Sequence, residues 1–260
     1  MALLGGSLLG CGEAQLDLAG VVERQVLELS APRSELVIDL PVELGAQVDA
    51  GQIVAQLDTQ VGEADLRARE AALEAARASL VEAEGEFERQ TRLRRSNVST
   101  PQAFDAAKRR RDEALALVAE NEARIARGRK EVDDLTLRAP TSGIIDQLPF
   151  DAGERVPAGG VVAVVLADDA PWVRVWLPAR AASAAVLGRT ARVRIQGFDD
   201  EFEGRVSYVA HQSEFTPHFA LTEKESAHLV YATRITLEQA PEGLRPGLAA
   251  RVWIELGQDS

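Results

Sequence analysis

The chain has 260 residues, with 29 basic against 41 acidic side chains and a formal net charge of −12. That length accommodates one or two ordinary domains, and the acidity argues against nucleic-acid binding, which needs a basic face. One cysteine and one methionine exclude disulfide support and leave almost no soft metal ligands.

The first predicted element is the apolar run Leu3 to Leu9, ending in Leu8-Leu9-Gly10-Cys11. It is far shorter than the roughly 20 residues of a membrane-spanning helix but suits the apolar part of a signal peptide. Small and apolar residues before a lone cysteine resemble the bacterial lipobox, so residues 1–11 are assigned as signal and anchor with lipidation at Cys11. The rival is a disordered N-terminus with an incidental cysteine. Signals usually begin with basic residues and none precedes Cys11, which suggests that the start codon lies upstream. Gly12 is not the aspartate that retains enteric lipoproteins at the inner membrane, so this position leaves the membrane open.

Residues 12–31 contain short β-prone pieces (Val21-Val22, Val26 to Leu29) and are assigned to strands joining a later β-barrel. An eighteen-residue stretch then occurs twice, 108 positions apart, with eight identities and no gap. The first copy runs Leu40-Pro41-Val42, Gly45, Val48, Ala50-Gly51, Val54-Ala55. The second runs Leu148-Pro149-Phe150, Gly153, Val156, Ala158-Gly159, Val162-Ala163. Glycines suited to positive φ alternate with Val and Ile suited to a half-buried pleated surface. Two such strand–turn–strand units read as halves of one small β-domain, 32–58 and 136–168.

Between them, residues 59–135 are predicted as a helical hairpin. Leu66, Leu73, Leu80 and Phe87 recur every seventh residue, with Ala76 and Ala83 as companions. After a break at Ser96-Asn97-Val98-Ser99-Thr100-Pro101, Phe104, Val118, Ile125 and Val132 continue the ladder beside Ala107, Ala114, Asn121, Gly128 and Leu135. A sustained period of seven is the pattern of a supercoiled pair, and so short a break makes the helices antiparallel. Roughly 35 residues give an arm of ~50 Å. Asn121 and Arg111 interrupt the seam; they either set register or reach solvent at an edge. Residues 169–260 then read as a small β-barrel. The β-prone runs Trp172–Leu177, Ala191–Ile195, Phe202–Ala210, Leu229–Leu237 and Ala250–Leu256 are separated by turns, with a short helix at Ala179–Leu187.

The duplicated Gly/Val units resemble the halves of a biotinyl/lipoyl-type domain. Such a domain split by a helical hairpin and followed by a barrel is similar to the HlyD-type membrane fusion proteins, periplasmic adaptors of bacterial exporters. The match is carried by Val37 to Asp58, by Leu137-Arg138-Ala139-Pro140-Thr141-Ser142-Gly143 and by Gly243-Leu244-Arg245-Pro246-Gly247. Phe215-Thr216-Pro217 and Leu229-Val230-Tyr231 resemble the branch serving ABC-type drug exporters. The resemblance implies an elongated α+β multidomain chain and a homo-oligomeric ring. It implies a lipid anchor in the periplasm of a Gram-negative bacterium, more readily in the inner membrane. The implied partners are an inner-membrane ABC-type permease and ATPase and an outer-membrane channel. In family members that meet such a channel, the hairpin tip carries Arg-x-x-x-Leu followed by Ser seven residues later. Here Arg89, Leu93 and Ser99 fit, except that Ser99 comes six after Leu93, so the tip is one residue short. These three are the candidate partner-binding residues, and Gly45, Gly51, Gly153 and Gly159 the lipoyl-like turns.

Competing classes are weaker. A lipoyl or biotinyl carrier needs a cofactor-bearing lysine, and neither repeat copy contains one. No cofactor is therefore expected. His211, His218 and His228 lack paired ligand spacing and read as surface residues, so no metal site is assigned. Asp58, Asp133, Asp134, Asp168 and Asp169 lie near turns without a nucleophile or oxyanion donors around them, which argues against an enzyme. A structural coiled-coil envelope lipoprotein without a transport role is the alternative.

Overall fold

The structure is a computed structural model and describes residues 15–182, 187–215, 229–241 and 243–255. Cys11 and the 1–11 anchor lie outside these residues, as do Thr216, Pro217, His218 and His228. The chain begins with β1 (Gln15–Glu23), β2 (Val26–Ser30), β3 (Glu35–Asp39), β4 (Gln47–Val48) and β5 (Ile53–Leu57). Two long helices follow, α1 (Gln60–Arg95) and α2 (Pro101–Asp133). Next come β6 (Thr136–Arg138), β7 (Gly143–Gln147), β8 (Arg155–Val156), β9 (Val161–Ala167), β10 (Trp172–Pro178) and the short α3 (Ala179–Ala182). The last strands are β11 (Thr190–Ile195), β12 (Glu201–Val209), β13 (Glu214–Phe215), β14 (Leu229–Leu237) and β15 (Ala249–Glu255). The chain divides into two compact units, one spanning Leu27 to Val165 and the other formed by the segments on either side of it.

The first unit joins the two repeat copies and the helices between them. Its β part is two four-stranded sheets, ordered β2-β9-β7-β4 and β6-β5-β3-β8, so each sheet takes strands from both sides of the helical insertion. The bonds joining the copies come in pairs that repeat at the 108-residue offset. Gly45 N–H donates to the Ile145 carbonyl and Gly153 N–H to that of Val37, both at 2.8 Å. Gly51 donates to Ala139 at 2.7 Å, and Gly159 to Ala31 at 2.8 Å. The return bonds obey the same rule, Ile145 to Ala46 and Val37 to Glu154, then Ala139 to Gln52 and Ala31 to Gly160. Each half thus satisfies backbone groups that the other half's turn would otherwise leave without a protein partner. All four turn glycines have left-handed φ, +79° and +82° in the first copy and +93° and +77° in the second. A side chain there meets the Cβ–carbonyl clash that makes this region costly.

The cores obey the same pseudo-symmetry. One gathers Ala31, Val37, Ala55, Leu57, Val156 and Val162; the other gathers their counterparts Ala139, Ile145, Ala163, Val165, Val48 and Val54. Each core mixes both copies. Neither copy alone can bury its apolar face, and the two halves therefore form a single packing unit.

Between these halves, α1 and α2 pack along one seam. Its buried members are Leu73, Ala76, Val118 and Ile125, with Leu66 and Leu80 half-buried beside them. Inward positions alternate in steps of three and four from Gly62 to Gln90 and from Phe104 to Val132. Contacts of Gly62 with Val132 and of Phe87 with Phe104 fix an antiparallel register. Asn121 is 5% exposed, and its amide donates to the Leu117 carbonyl at 2.8 Å, within its own helix. It is thus buried and satisfied locally. Arg111, half-buried at an inward position, sends its guanidinium 4.4 Å over the Phe87 ring and pairs with Asp112. The outer faces are laced by ion pairs, among them Arg77 with Glu74 and Glu122 and Arg69 with Glu131.

The second unit is a six-stranded antiparallel barrel, β10-β1-β15-β11-β12-β14, closed by pairing of β14 with β10; β13 adds to β14. Closure removes the exposed edges of an open sheet. Alternation puts Val173, Val175, Leu177, Val193, Ile195, Ile235, Val252 and Ile254 inside, with the intervening Arg192, Arg194 and Arg251 outside. The segment 12–31, expected wholly in the barrel, divides in its described part. β1 pairs with β10 and β15, whereas β2 lies beside β9 in the other unit. The Ala167 N–H donates to the Gln25 carbonyl at 3.0 Å, within the barrel unit. Of the helix assigned to Ala179–Leu187, the described part is α3, and residues 183–186 lie outside the described residues.

Candidate docking site at the hairpin end

The end of the hairpin is built by two opposite capping solutions. α1 stops when Asn97 turns left-handed at φ 56°, a conformation that asparagine tolerates better than most side chains. The Val98 and Ser99 amides then reach back to the Leu93 carbonyl at 2.9 and 3.4 Å. α2 starts with Thr100 as cap: its hydroxyl accepts from the Ala103 N–H at 3.2 Å, and Pro101 occupies the first turn, where no donor is needed.

The three candidate tip residues lie on the last turns of α1 and in the loop that follows. Arg89 and Leu93 stand one turn apart on one face of α1. The Arg89 side chain is exposed and paired with Glu86, and Leu93 is 36% exposed. Ser99 is tied inward, its hydroxyl donating to Gln90 Oε1 at 2.7 Å. The left-handed turn at Asn97 brings the Ser99 amide to 3.4 Å from the Leu93 carbonyl. A groove along this side of the hairpin is lined by Glu82, Ala83, Glu86, Arg89, Arg110 and Ala114.

Below the loop, Arg94 lies 4.4 Å over Phe104, whose ring centre is 5.5 Å from Phe87, and Arg111 lies 4.4 Å over Phe87. Two guanidinium groups thus bracket the last aromatic layer. Such cation–π contacts contribute about 0.5–1 kcal/mol each at exposed sites. They let the seam end in bulky apolar groups near solvent.

Sequence reasoning missed a further feature, the density of cations around this end. Arg95, Lys108, Arg109 and Arg110 are all exposed and have no ion-pair partner among the described residues. The signal was visible in the run Lys108-Arg109-Arg110-Arg111, but charge was read over the whole chain and averaged away. Toward the hairpin base the electrostatics differ. Lys130 is raised above its ordinary pKa by its hydrogen bond to Asp134. The Glu131 carboxyl is lowered, chiefly by its hydrogen bond from Arg127, with the hydrogen bond from Arg69 adding to it, against the opposing effect of desolvation. Arg77 is raised, chiefly by Glu122 across the helix pair. Among the described residues, no three His, Cys, Asp or Glu side chains converge to hold a metal ion. No described helix is long and apolar enough to cross a membrane. His211 stacks edge-on against Tyr208 on the barrel.

No protein-family model matches the chain. A UPF0194 membrane protein of Acidithiobacillus ferridurans is 29% identical over 137 residues, 52% of this chain and 40% of that protein. The chain thus spans well under half the length of the curated relatives it matches. Among solved structures, a MacA–MexA chimeric protein containing the Pseudomonas aeruginosa MexA α-hairpin domain aligns with a TM-score of 0.67. It is 18% identical and covers 95% of this chain and 84% of that one. The membrane fusion protein Spr0693 of Streptococcus pneumoniae R6 aligns with a TM-score of 0.66 at 14% identity, covering 94% of this chain and all of the other. The order of its elements, the helical hairpin set between two β halves and these alignments agree: the chain has the fold of the HlyD-type membrane fusion proteins.

Proposed function

We propose that this chain is a periplasmic adaptor that links an inner-membrane transporter, of the ABC type, to an outer-membrane channel for export of small molecules. The observation that carries the reading is a β-module assembled from two equivalent halves with a ~50 Å antiparallel helical pair inserted between them. In this reading the module is lipoyl-like, without the lysine that a carrier needs, and the hairpin is a two-stranded coiled coil. Their role is geometric and not enzymatic. Modules pack side by side in a ring, hairpins form the wall of a conduit, and a lipid on Cys11 holds the ring to the inner membrane. Arg89, Leu93 and Ser99 meet the channel.

Adaptor rings form weakly alone and more strongly when a transporter binds the assembled state. The test is co-purification from membranes of the native host after mild chemical crosslinking. The proposal expects an ATPase and permease pair together with higher oligomers of this chain. Monomers alone, without any membrane transporter, contradict it.

A further inference from the structure

The two ends of the barrel differ. Its six strands alternate in direction, so β1, β11 and β14 start, and β15, β12 and β10 finish, at the same end. Gln15, Thr190 and Leu229 stand there with Glu255, Val209 and Pro178. Three large side chains at this end are open to solvent: Leu187 is 65% exposed, Tyr208 49% and Leu229 43%. The turns at the opposite end also carry large apolar residues, but there Phe198 and Leu248 pack against the core and Leu244 is buried in it. Leu187 and Tyr208 line one open groove with Tyr231, and Leu229 is two residues from Tyr231, on the same side of β14. The exposed groups thus form a patch, and contiguous patches mark interaction surfaces where single apolar residues do not.

The chain itself indicates what covers the patch. Gln15, the first residue of β1, follows Cys11 by four residues, and an extended chain of that length reaches at most about 14 Å. The last residue of β1, Glu23, lies eight residues further on, ~26 Å along the strand. A lipid on Cys11 therefore holds the end with the patch, and not the other, against the bilayer surface. The chemistry suits that place. Leucine enters the boundary of the acyl chains, and a tyrosine ring sits at headgroup level with its hydroxyl in water. Arg189, two residues from Leu187, has no ion-pair partner among the described residues and matches a lipid phosphate.

We infer that this end of the barrel is a membrane seat: Leu187, Tyr208 and Leu229 enter the headgroup layer of the bilayer that carries the Cys11 lipid. The inference rests on the lipid anchor of the reading above, to which it adds a second contact. The lipid keeps the chain on the membrane, and the seat orients the barrel upon it.

The test uses the full chain purified from the native host, with acylation of Cys11 checked by mass spectrometry. An environment-sensitive fluorophore is attached through Leu187→Cys, Tyr208→Cys or Leu229→Cys, one at a time; an acylated Cys11 offers it no thiol. Asp199→Cys, in a turn at the opposite end, is the control. All four positions are exposed, and circular dichroism checks that each variant keeps its fold. In vesicles of phosphatidylethanolamine and phosphatidylglycerol, labels at 187, 208 and 229 should shift their emission to the blue and be quenched by nitroxide lipids. The label at 199 should do neither. Labels that stay in water on an acylated chain overturn the seat and leave the adaptor reading intact, as do equal shifts at all four positions. Shifts that require an added transporter assign the patch to a protein partner and overturn the seat as well. An unmodified Cys11 overturns both the lipid anchor and the seat. Because the vesicles contain no transporter, failure of the adaptor reading is seen separately, as the absence of a co-purifying transporter.

Discussion

Replacing Leu73 by Asp should unfold the hairpin and leave the barrel intact. Leu73 is 8% exposed and packs in one buried cluster with Ala76, Val118 and Ile125, supported by half-buried Leu66 and Leu80. Burial of a leucine contributes about 1.5–3 kcal/mol, and truncation of a packed one to Ala costs about 2–5 kcal/mol. Asp adds the cost of a carboxylate in an apolar seam, where no partner was provided for it. With so few fully buried large side chains holding the pair, that loss is a large fraction of the packing energy of the seam, and isolated helices are marginal in water. The assay separates the units. α1 and α2 have 36 and 33 residues against four in α3, so far-ultraviolet circular dichroism reports on the hairpin. All three tryptophans, Trp172, Trp176 and Trp253, are in barrel strands, so their fluorescence reports on the barrel. The expected result is loss of most helical signal in Leu73→Asp with unchanged tryptophan emission, and a lowered helical melting midpoint in Leu73→Ala. Unchanged helicity and midpoint in the Asp variant would refute the reasoning about the seam.

Three more outcomes can be checked directly. Gly51→Val and Gly159→Val should each cost about 1–2 kcal/mol in chemical denaturation, because φ is +82° and +77°. Open space around both Cβ positions leaves backbone strain as the cause, and pseudo-equivalence makes the two costs similar. Glu131 is lowered below its ordinary value of 4.5, so its contribution is complete above that pH and is lost as pH falls through the lower folded value. Glu131→Gln should therefore flatten the acid branch of the hairpin's melting-temperature profile, and superimposable profiles would remove the ion pairs from the account. Arg89→Glu should impair export without altering the circular dichroism spectrum, because the side chain is exposed; normal export by this variant would discard tip docking through that residue.

Much of the fold was legible where one physical rule acts alone. The repeat glycines stood out because few residues other than glycine hold left-handed φ without strain, and eight identities at one offset exceed what shared composition explains. The seam was legible because Leu66, Leu73 and Leu80 keep a strict period of seven, and the barrel strands because Val193 and Ile195 alternate with Arg192 and Arg194. Pairing partners were harder. Val26–Ser30 alternates like any half-buried strand, and nothing in its residues says that it joins β9 and not the barrel; that choice is made by long-range hydrogen bonds. Asn121 could not be decided from the seam pattern either, since its satisfaction depends on a carbonyl four residues back. The end of α1 was harder to place, because its stop rests on a left-handed φ at Asn97, a conformation that a single asparagine in a run of polar residues does not announce.

The central claim is that one β-module is cut open to admit the helical pair, and engineered disulfides test it most directly. Gln47 lies opposite Ile144, and the pseudo-equivalent Leu36 lies opposite Arg155. Antiparallel neighbours stand about 4.5–5.5 Å apart at Cα, within disulfide reach. In a Cys11→Ser background, Gln47→Cys with Ile144→Cys and Leu36→Cys with Arg155→Cys should each oxidise within one chain. Mass spectrometry of the intact and reduced proteins should find both bonds. Crosslinking of only one pair, or of neither, would contradict a single module made from both copies.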